Sequence, residues 1–351
     1  MKTLHKIVFL FSLTLVISSV TYCQNPVDAK MLIKQGIALN DSGKYTEAID
    51  KYKEALKLEP ENLQAQYEMS YTLYVSGKPD EAIPLLQKVA PANKYAEAYD
   101  LLASIYDDKK NFEKSVAYYQ QGIIAFPEYQ RLRFNLGVSY LRQKMYPEAE
   151  QAAIKAIQLN PKHASSQRVY ALATYNQNKD VPSIMAFCNF LILEPQTQRS
   201  AEAYRYIQKI FQSKIKIDTG KGADKKMTIY VRDNKSGDQD EFTLETFLSM
   251  AAAMPTLDEN KNKTAVEQLG EQLKSIFKVA GELSAKRKNK DLFWNFYVGY
   301  FYQLAQSDNM PAFARLVSLS AYKDENLQWF KDNDSKLTAL DTWIASTKRE
   351  F

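Results

Sequence analysis

Two columns of small residues recur about every 34 positions, and no other feature limits the fold of this chain so tightly. Gly36, Ser70, Ala103, Gly137 and Ala171 form one column; Ala48, Ala82, Ser115, Ala149 and Ser183 form the other. A third column, Tyr52, Leu86, Tyr119, Ala153 and Phe187, is mostly large and apolar. Pro60, Pro127, Pro161 and Pro195 each close a unit, whereas the second unit ends at Pro91-Ala92-Asn93-Lys94 and is one residue shorter. Small residues at fixed positions mean helices that cross with their backbones close together. A bulky side chain there would overpack the crossing, at a cost of about 1–3 kcal/mol.

Residues 133–161 show what each unit contains. Leu136, Tyr140 and Leu141 mark the apolar face of one short helix, and Ala149, Ala153, Ala156 and Ile157 that of a second. Gly137 and Ala149 are the small residues that let these two helices approach. A helical pair this short cannot bury its own apolar face and needs a neighbour on each side.

The recurring columns resemble those of the tetratricopeptide (TPR) repeat, best in residues 32–60, LIKQGIALNDSGKYTEAIDKYKEALKLEP, and over 29–195 as a whole. The resemblance implies a mainly all-α chain: an α-α solenoid of five repeats in 29–195, within an array spanning 24–213. It also implies that the first helix of each pair lines a concave wall where an extended peptide or partner helix lies. The side chains expected on that wall are Ile33 and Ile37; Tyr67, Tyr71 and Tyr74; Asp100, Ser104 and Asp107; Phe134, Val138 and Leu141; and Arg168, Leu172 and Tyr175. The i, i+4, i+7 spacing of the three tyrosines puts them on one helical face, where they serve either partner binding or packing on the next repeat. Ile33 and Ile37 stand where the Lys/Asn carboxylate clamp of some TPR co-chaperones would need polar residues, which argues against a chaperone-tail ligand.

Residues 198–213 read as one more helix that caps the open end of the array. The period then changes from helical to two. Lys214–Ile217 and Met227–Val231 read as strands, with Phe242–Leu244 as a third, so 214–244 is expected to be a short β-hairpin linker. Gly220-Lys221-Gly222 lacks the spacing of a phosphate loop, and 233–238 puts Lys235 where a calcium loop needs an oxygen ligand, so both read as solvated turns. From 245 to 351 a second α-helical domain is expected. It begins with the stripe Val266, Leu269, Leu273, Ile276, Phe277, Ala280 and Leu283, and continues through a basic linker at 286–290. Residues 291–306, DLFWNFYVGYFYQLAQ, are apolar nearly all round and should be central, with Gly299 placed to permit a close crossing. Helices at 310–321 and 324–346 would surround it.

At the other end, Lys2, His5 and Lys6 precede an apolar run from Ile7 to Val20, too short to span a bilayer comfortably. Residues 1–23 therefore read as a secretory signal peptide, with Asn25-Pro26 opening the first helix of the mature chain. Lipidation of Cys23 is the rival outcome, disfavoured by bulky Tyr22, and membrane association is expected only in that case. Removing two lysines and no acid lowers the net charge from +5 to +3, which is no footprint for nucleic acid. Only Cys188 then remains, so no internal disulfide is possible, and it reads as a core thiol. The N-terminal start and the cleavage site resemble those of exported TPR proteins of Gram-negative bacteria, so the expected place is the periplasm or the cell exterior.

His163 would be the one histidine left, and no acid pair stands out by spacing, so no catalytic residue, metal site or cofactor is expected. The expected function is a non-enzymatic scaffold holding a protein or peptide. Two alternatives are an accessory subunit of an outer-membrane assembly or secretion machine, and a carbohydrate-binding or degrading protein using the aromatic C-terminal part. Exposure of Trp294, Trp329 or Trp343 on one surface would favour sugar; burial would favour the scaffold.

Overall fold

The computed structural model of the chain describes residues 28–218, 226–232 and 237–351. The signal-peptide region, Cys23, the Asn25-Pro26 helix start and the 220–222 loop lie outside these residues, as do positions 233–236 of the other loop. Among the described residues the chain is almost entirely helical, with a single two-stranded sheet. It divides into two compact units, up to Leu85 and from Leu86 to Phe351.

The first unit holds α1 (Ala29–Asp41), α2 (Tyr45–Leu58), α3 (Leu63–Val75) and the start of α4 (Pro79–Val89). Asp28 caps α1 by accepting the amide of Met31 at 2.6 Å. Its core is small: Ala29, Leu32, Ile33, Ala48, Tyr52, Ala55 and Ala65. The ring of Tyr52 lies where a Cβ on Gly36 would be, so α1 and α2 approach through that glycine.

In the second unit, a 3-10 turn (Ala90–Ala92) is followed by α5 (Ala96–Asp108), α6 (Phe112–Ala125), α7 (Gln130–Arg142), α8 (Tyr146–Leu159), α9 (Ala164–Asn176), α10 (Asp180–Leu193) and α11 (Gln198–Ser213). Contacts are most extensive within the pairs α5–α6, α7–α8 and α9–α10, followed by those linking α8 to α9. The two small columns are buried at every position in both units. Gly137 shows why, since a Cβ there would stand 3.2 Å from Val169 and 3.5 Å from the Ala149 carbonyl. Each of Pro60, Pro127, Pro161 and Pro195 stands just past the end of a second helix, where its missing amide would otherwise break the helical ladder.

The packing does not end at α11. After it come β1 (Ile215–Asp218) and β2 (Lys226–Ile229), antiparallel with Ile215 opposite Ile229. Then follow α12 (Gln239–Ala253), α13 (Ala265–Lys286), a π-helical segment (Phe293–Val298), α14 (Gly299–Gln306), α15 (Met310–Val317), α16 (Lys323–Asp332) and α17 (Asp334–Ser346). Phe242–Leu244, expected as a third strand, lies inside α12. Asp238 accepts the amides of Asp240 at 2.9 Å and Glu241 at 3.2 Å, and this cap starts a helix where the side-chain pattern suits a strand. The single helix expected over 324–346 is two, because Asn333 takes a non-helical backbone.

Residues 245–351 do not form a core of their own. One hydrophobic cluster runs from Ala153 and Ile157 through α9, α10 and α11 into α12, α13, the π-helical segment and α15. The cause is α10, DVPSIMAFCNFLIL, which is apolar nearly all round and so must be covered on both sides. It packs on α9, and also meets α11, α12, the π-helical segment and α15. A buried charge cluster fixes the hairpin beside it: Lys214 Nζ lies 2.6 Å from both Asp180 and Glu245, and Arg232 lies 3.0 Å from Asp180. The 286–290 stretch is no free linker either, since Arg287 pairs with Asp238 at 2.6 Å and Asp240 at 2.7 Å and covers the Trp294 ring at 4.7 Å. Gly299 has open space where its Cβ would be; Gly281 is the close-approach glycine, facing the Tyr302 ring.

Candidate functional site: the wall of first helices

Within each unit, the first helices of neighbouring repeats are joined by a polar ladder in which each rung links residues about one repeat apart. Asn135 of α7 donates to Asp100 of α5 at 2.6 Å, and Ser139 donates to Asp107 at 2.5 Å. Gln130 of α7 donates to Ser166 at 2.9 Å and lies 3.1 Å from His163, and Arg168 of α9 pairs with Glu202 of α11 at 2.5 Å. In the first unit, Thr72 donates to Asn40 at 2.9 Å. These rungs set the pitch between neighbouring first helices and decide which side chains remain open.

Asp100 and Asp107, expected on the open wall, are only 3% and 5% exposed and are spent on the ladder. Asp100 also accepts from Arg131 Nε at 2.8 Å, and Asp107 pairs with Arg142. Burial pushes the Asp100 carboxyl above its ordinary value, with Asn135 and Arg131 opposing that rise. Ser104 between them is half-buried and lies 3.0 Å from the Tyr119 hydroxyl. Ile33 is likewise packed in the core of the first unit, with Ile37 half-buried against it. On α3, Tyr71 is 40% exposed, while Tyr67 and Tyr74 are half-buried and engaged with neighbours.

The expected residues of α7 and α9 stay partly open. Phe134, Val138, Leu141, Leu172 and Tyr175 are half-buried, each packed against the large core cluster. Phe134 meets the His163 ring edge-on at 4.8 Å. His163 caps α9 with Nδ1, which accepts the Ser166 amide at 3.3 Å; burial first, and Arg199 second, hold its pKa below the ordinary imidazole value. Arg168 is held by Glu202, and its Nε is buried without a hydrogen bond.

Sequence reasoning missed that α11 continues this wall. Tyr206 is half-buried, meets Tyr175 edge-on at 4.7 Å and stacks on Phe187 at 5.2 Å. The signal was present, because Glu202, Tyr206 and Lys209 stand one repeat beyond Arg168, Leu172 and Tyr175. The result is an apolar strip across α7, α9 and α11, ending in an aromatic pair.

Cys188 is fully buried in α10, and burial pushes its thiol up. No cluster of three or more His, Cys, Asp or Glu placed to hold a metal occurs among the described residues. Trp294 is buried, Trp329 and Trp343 are half-buried against the core, and Arg315 and Lys336 sit over Trp329 at 5.2 and 5.5 Å. Trp294 is thus closed to solvent, whereas Trp329 lines a small cavity with Glu267, Lys274 and Arg315.

Comparison with known proteins places these repeats. Tetratricopeptide-repeat family models match residues 39–105, 96–127 and 131–163. Human Protein O-mannosyl-transferase TMTC1 is 31% identical over 143 residues, 39% of this chain and 16% of that protein. Signal recognition particle subunit SRP72 of Dictyostelium discoideum is 31% identical over 119 residues, 33% of this chain and 16% of that protein. The chain thus spans less than a fifth of the length of these relatives. Among solved structures, PilF of Pseudomonas aeruginosa matches with a TM-score of 0.47 and 20% identity over 52% of this chain and 84% of that one. A MamA protein matches with a TM-score of 0.43 and 23% identity over 50% and 94%. YrrB, described as a TPR protein with an unusual peptide-binding site, matches with a TM-score of 0.43 and 17% identity over 51% and 92%. Residues 39–127 and 131–163 of this chain are tetratricopeptide repeats.

Proposed function

We propose that this protein is a non-catalytic scaffold that holds an extended segment of another protein along α7, α9 and α11. The observation that carries this is the strip Phe134, Val138, Leu141, Leu172, Tyr175 and Tyr206, each packed against the core and each partly exposed. A partly exposed row of apolar and aromatic side chains on rigid helices binds with little ordering cost. Catalysis is disfavoured because Cys188 is sealed in the core and His163 is occupied as a helix cap.

We place the protein outside the cytoplasm, in the periplasm or beyond, on the basis of the basic start and apolar run in residues 1–20. The mass of the mature N-terminus tests this: a chain retaining Met1, or an acyl adduct on Cys23, would refute a soluble exported form.

A photocrosslinking side chain at Val138 or Leu172 tests the wall itself. Adducts should form from these positions and not from the exposed Lys155 on α8. Equal capture from both faces would refute the assignment.

A further inference from the structure

Charge is distributed unevenly along this wall. At the α5–α7 end, Arg131 pairs with Asp100, and Arg142 with Asp107 and Asp108. At the α9–α11 end the balance changes. Arg168 shares Glu202, but Arg205 and Lys209 are exposed and pair with no carboxylate among the described residues. Lys209 Nζ lies 5.7 Å from the centre of the Tyr206 ring. Burial lifts the Tyr206 phenol above its ordinary value, and both Arg168 and Arg205 are near enough to oppose that lift. Arg168, Arg205 and Lys209 thus all lie near Tyr206, and Glu202 pairs with Arg168 alone.

We infer that the peptide held on this wall carries an acidic segment, and that this segment lies at α11 while apolar side chains of the same peptide rest on Phe134, Val138 and Leu172. The inference rests on the scaffold reading and adds a ligand class and an orientation to it. An exposed cation adds little affinity alone, yet several beside an apolar strip steer a chain of opposite charge and fix its direction. A basic peptide laid the same way would set like charges together, with Glu202 held by Arg168 and Glu194 held by Arg199. The attraction acts over about 8 Å at physiological ionic strength, so it must weaken as salt is added.

Selection of phage-displayed random dodecapeptides on the full-length mature protein tests this. Peptides enriched on the wild type should be rich in Asp and Glu beside one or two large apolar residues. The best of them, made synthetically, should bind R205E/K209E about tenfold more weakly, and Lys209→Gln less severely in the same direction. Added salt should reduce wild-type binding more than that of the doubly reversed variant. Leu172→Ala with Tyr206→Ala should weaken every selected peptide whatever its charge. Enriched peptides without acidic bias, or acidic peptides bound equally by R205E/K209E, would overturn the acidic ligand while leaving the wall as a binding surface. No enrichment, or binding indifferent to Leu172→Ala with Tyr206→Ala, would overturn both.

Discussion

The ring of Tyr170 in the fifth repeat stacks on that of Tyr297 in the π-helical segment, centroids 5.3 Å apart and planes 14° from parallel. The Tyr297 hydroxyl also donates to Gln167, one helical turn from Tyr170. Both rings are fully buried, so repeat and C-terminal helices share one core. Tyr297→Ala should cost about 3–5 kcal/mol, as for other large buried rings. Tyr297→Phe, which leaves the buried Gln167 oxygen unpaired, should cost about 1–3 kcal/mol. Urea unfolding followed at α9 and at α13 should shift together in both variants. A shift confined to α13 would mean that the C-terminal helices fold independently.

Each turn between the paired helices contains one residue at positive φ: Gly43, Gly77, Lys110, Lys144 and Asn178. Its amide and the next close the helix end, as Lys110 does on Asp107 at 2.9 Å and Asn111 on Tyr106 at 2.8 Å. Lysine pays a steric cost in this conformation that glycine does not. Lys110→Gly and Lys144→Gly should therefore each stabilise by about 0.5–1 kcal/mol, and Gly43→Ala should destabilise by about 1 kcal/mol. Chemical denaturation of each variant measures this, and a loss of stability in both lysine variants would remove the argument.

Column after column was legible in the repeats because a steric limit recurs in sequence wherever the same crossing recurs in space. Ala48, Ala82, Ser115, Ala149 and Ser183 needed no knowledge of their partners. Asp100 and Asp107 did: their position on the wall was legible, but the side chains that close over them, Asn135, Arg131, Ser139 and Arg142, belong to the next repeat. Tyr206 was hidden for another reason. A helix read only as a cap was not carried into the column that Leu172 and Tyr175 define. Beyond α11 no period repeats, so local chemistry decides, and the Asp238 cap outweighs the strand-like pattern of Phe242–Leu244.

Two glycines of the C-terminal helices separate close packing from mere composition. At Gly281 an added Cβ would meet the ring of Tyr302, and at Gly299 it would meet nothing within 4 Å. Gly299 is in right-handed helical backbone, so Gly299→Ala should stabilise by about 0.5–1 kcal/mol through helix propensity. Gly281→Ala must displace Tyr302 from α13 and should destabilise by about 1–3 kcal/mol. Thermal melts of the two variants should move in opposite directions; melts that both rise would show that Tyr302 yields without cost.

His163 makes the wall sensitive to pH in a direction that the geometry sets. As the neutral ring, Nδ1 accepts from the Ser166 amide and lies 3.1 Å from Gln130 Nε2, a donor. Protonation removes the acceptor that the Ser166 amide uses and sets a donor against Gln130 Nε2, leaving the Ser166 hydroxyl at 2.8 Å as the one acceptor beside it, and Arg199 nearby adds like-charge repulsion. The folded-state pKa therefore lies below the unfolded value of 6.5. Between these two values the unfolded chain binds more protons than the folded one, so stability rises with pH. The contribution of His163 is complete above 6.5 and is lost as pH falls through that window to the folded value. His163→Asn keeps a capping acceptor and does not titrate. The wild type should lose stability relative to His163→Asn when pH is lowered from 7.5 toward 5, by an amount bounded by the cap itself, about 0.5–2 kcal/mol. Because Phe134 packs against the His163 ring, peptide binding at the α7–α9 part of the wall should weaken over the same interval in the wild type alone. Parallel stability profiles for the two proteins would show that His163 stays neutral, or is exposed enough to titrate without consequence.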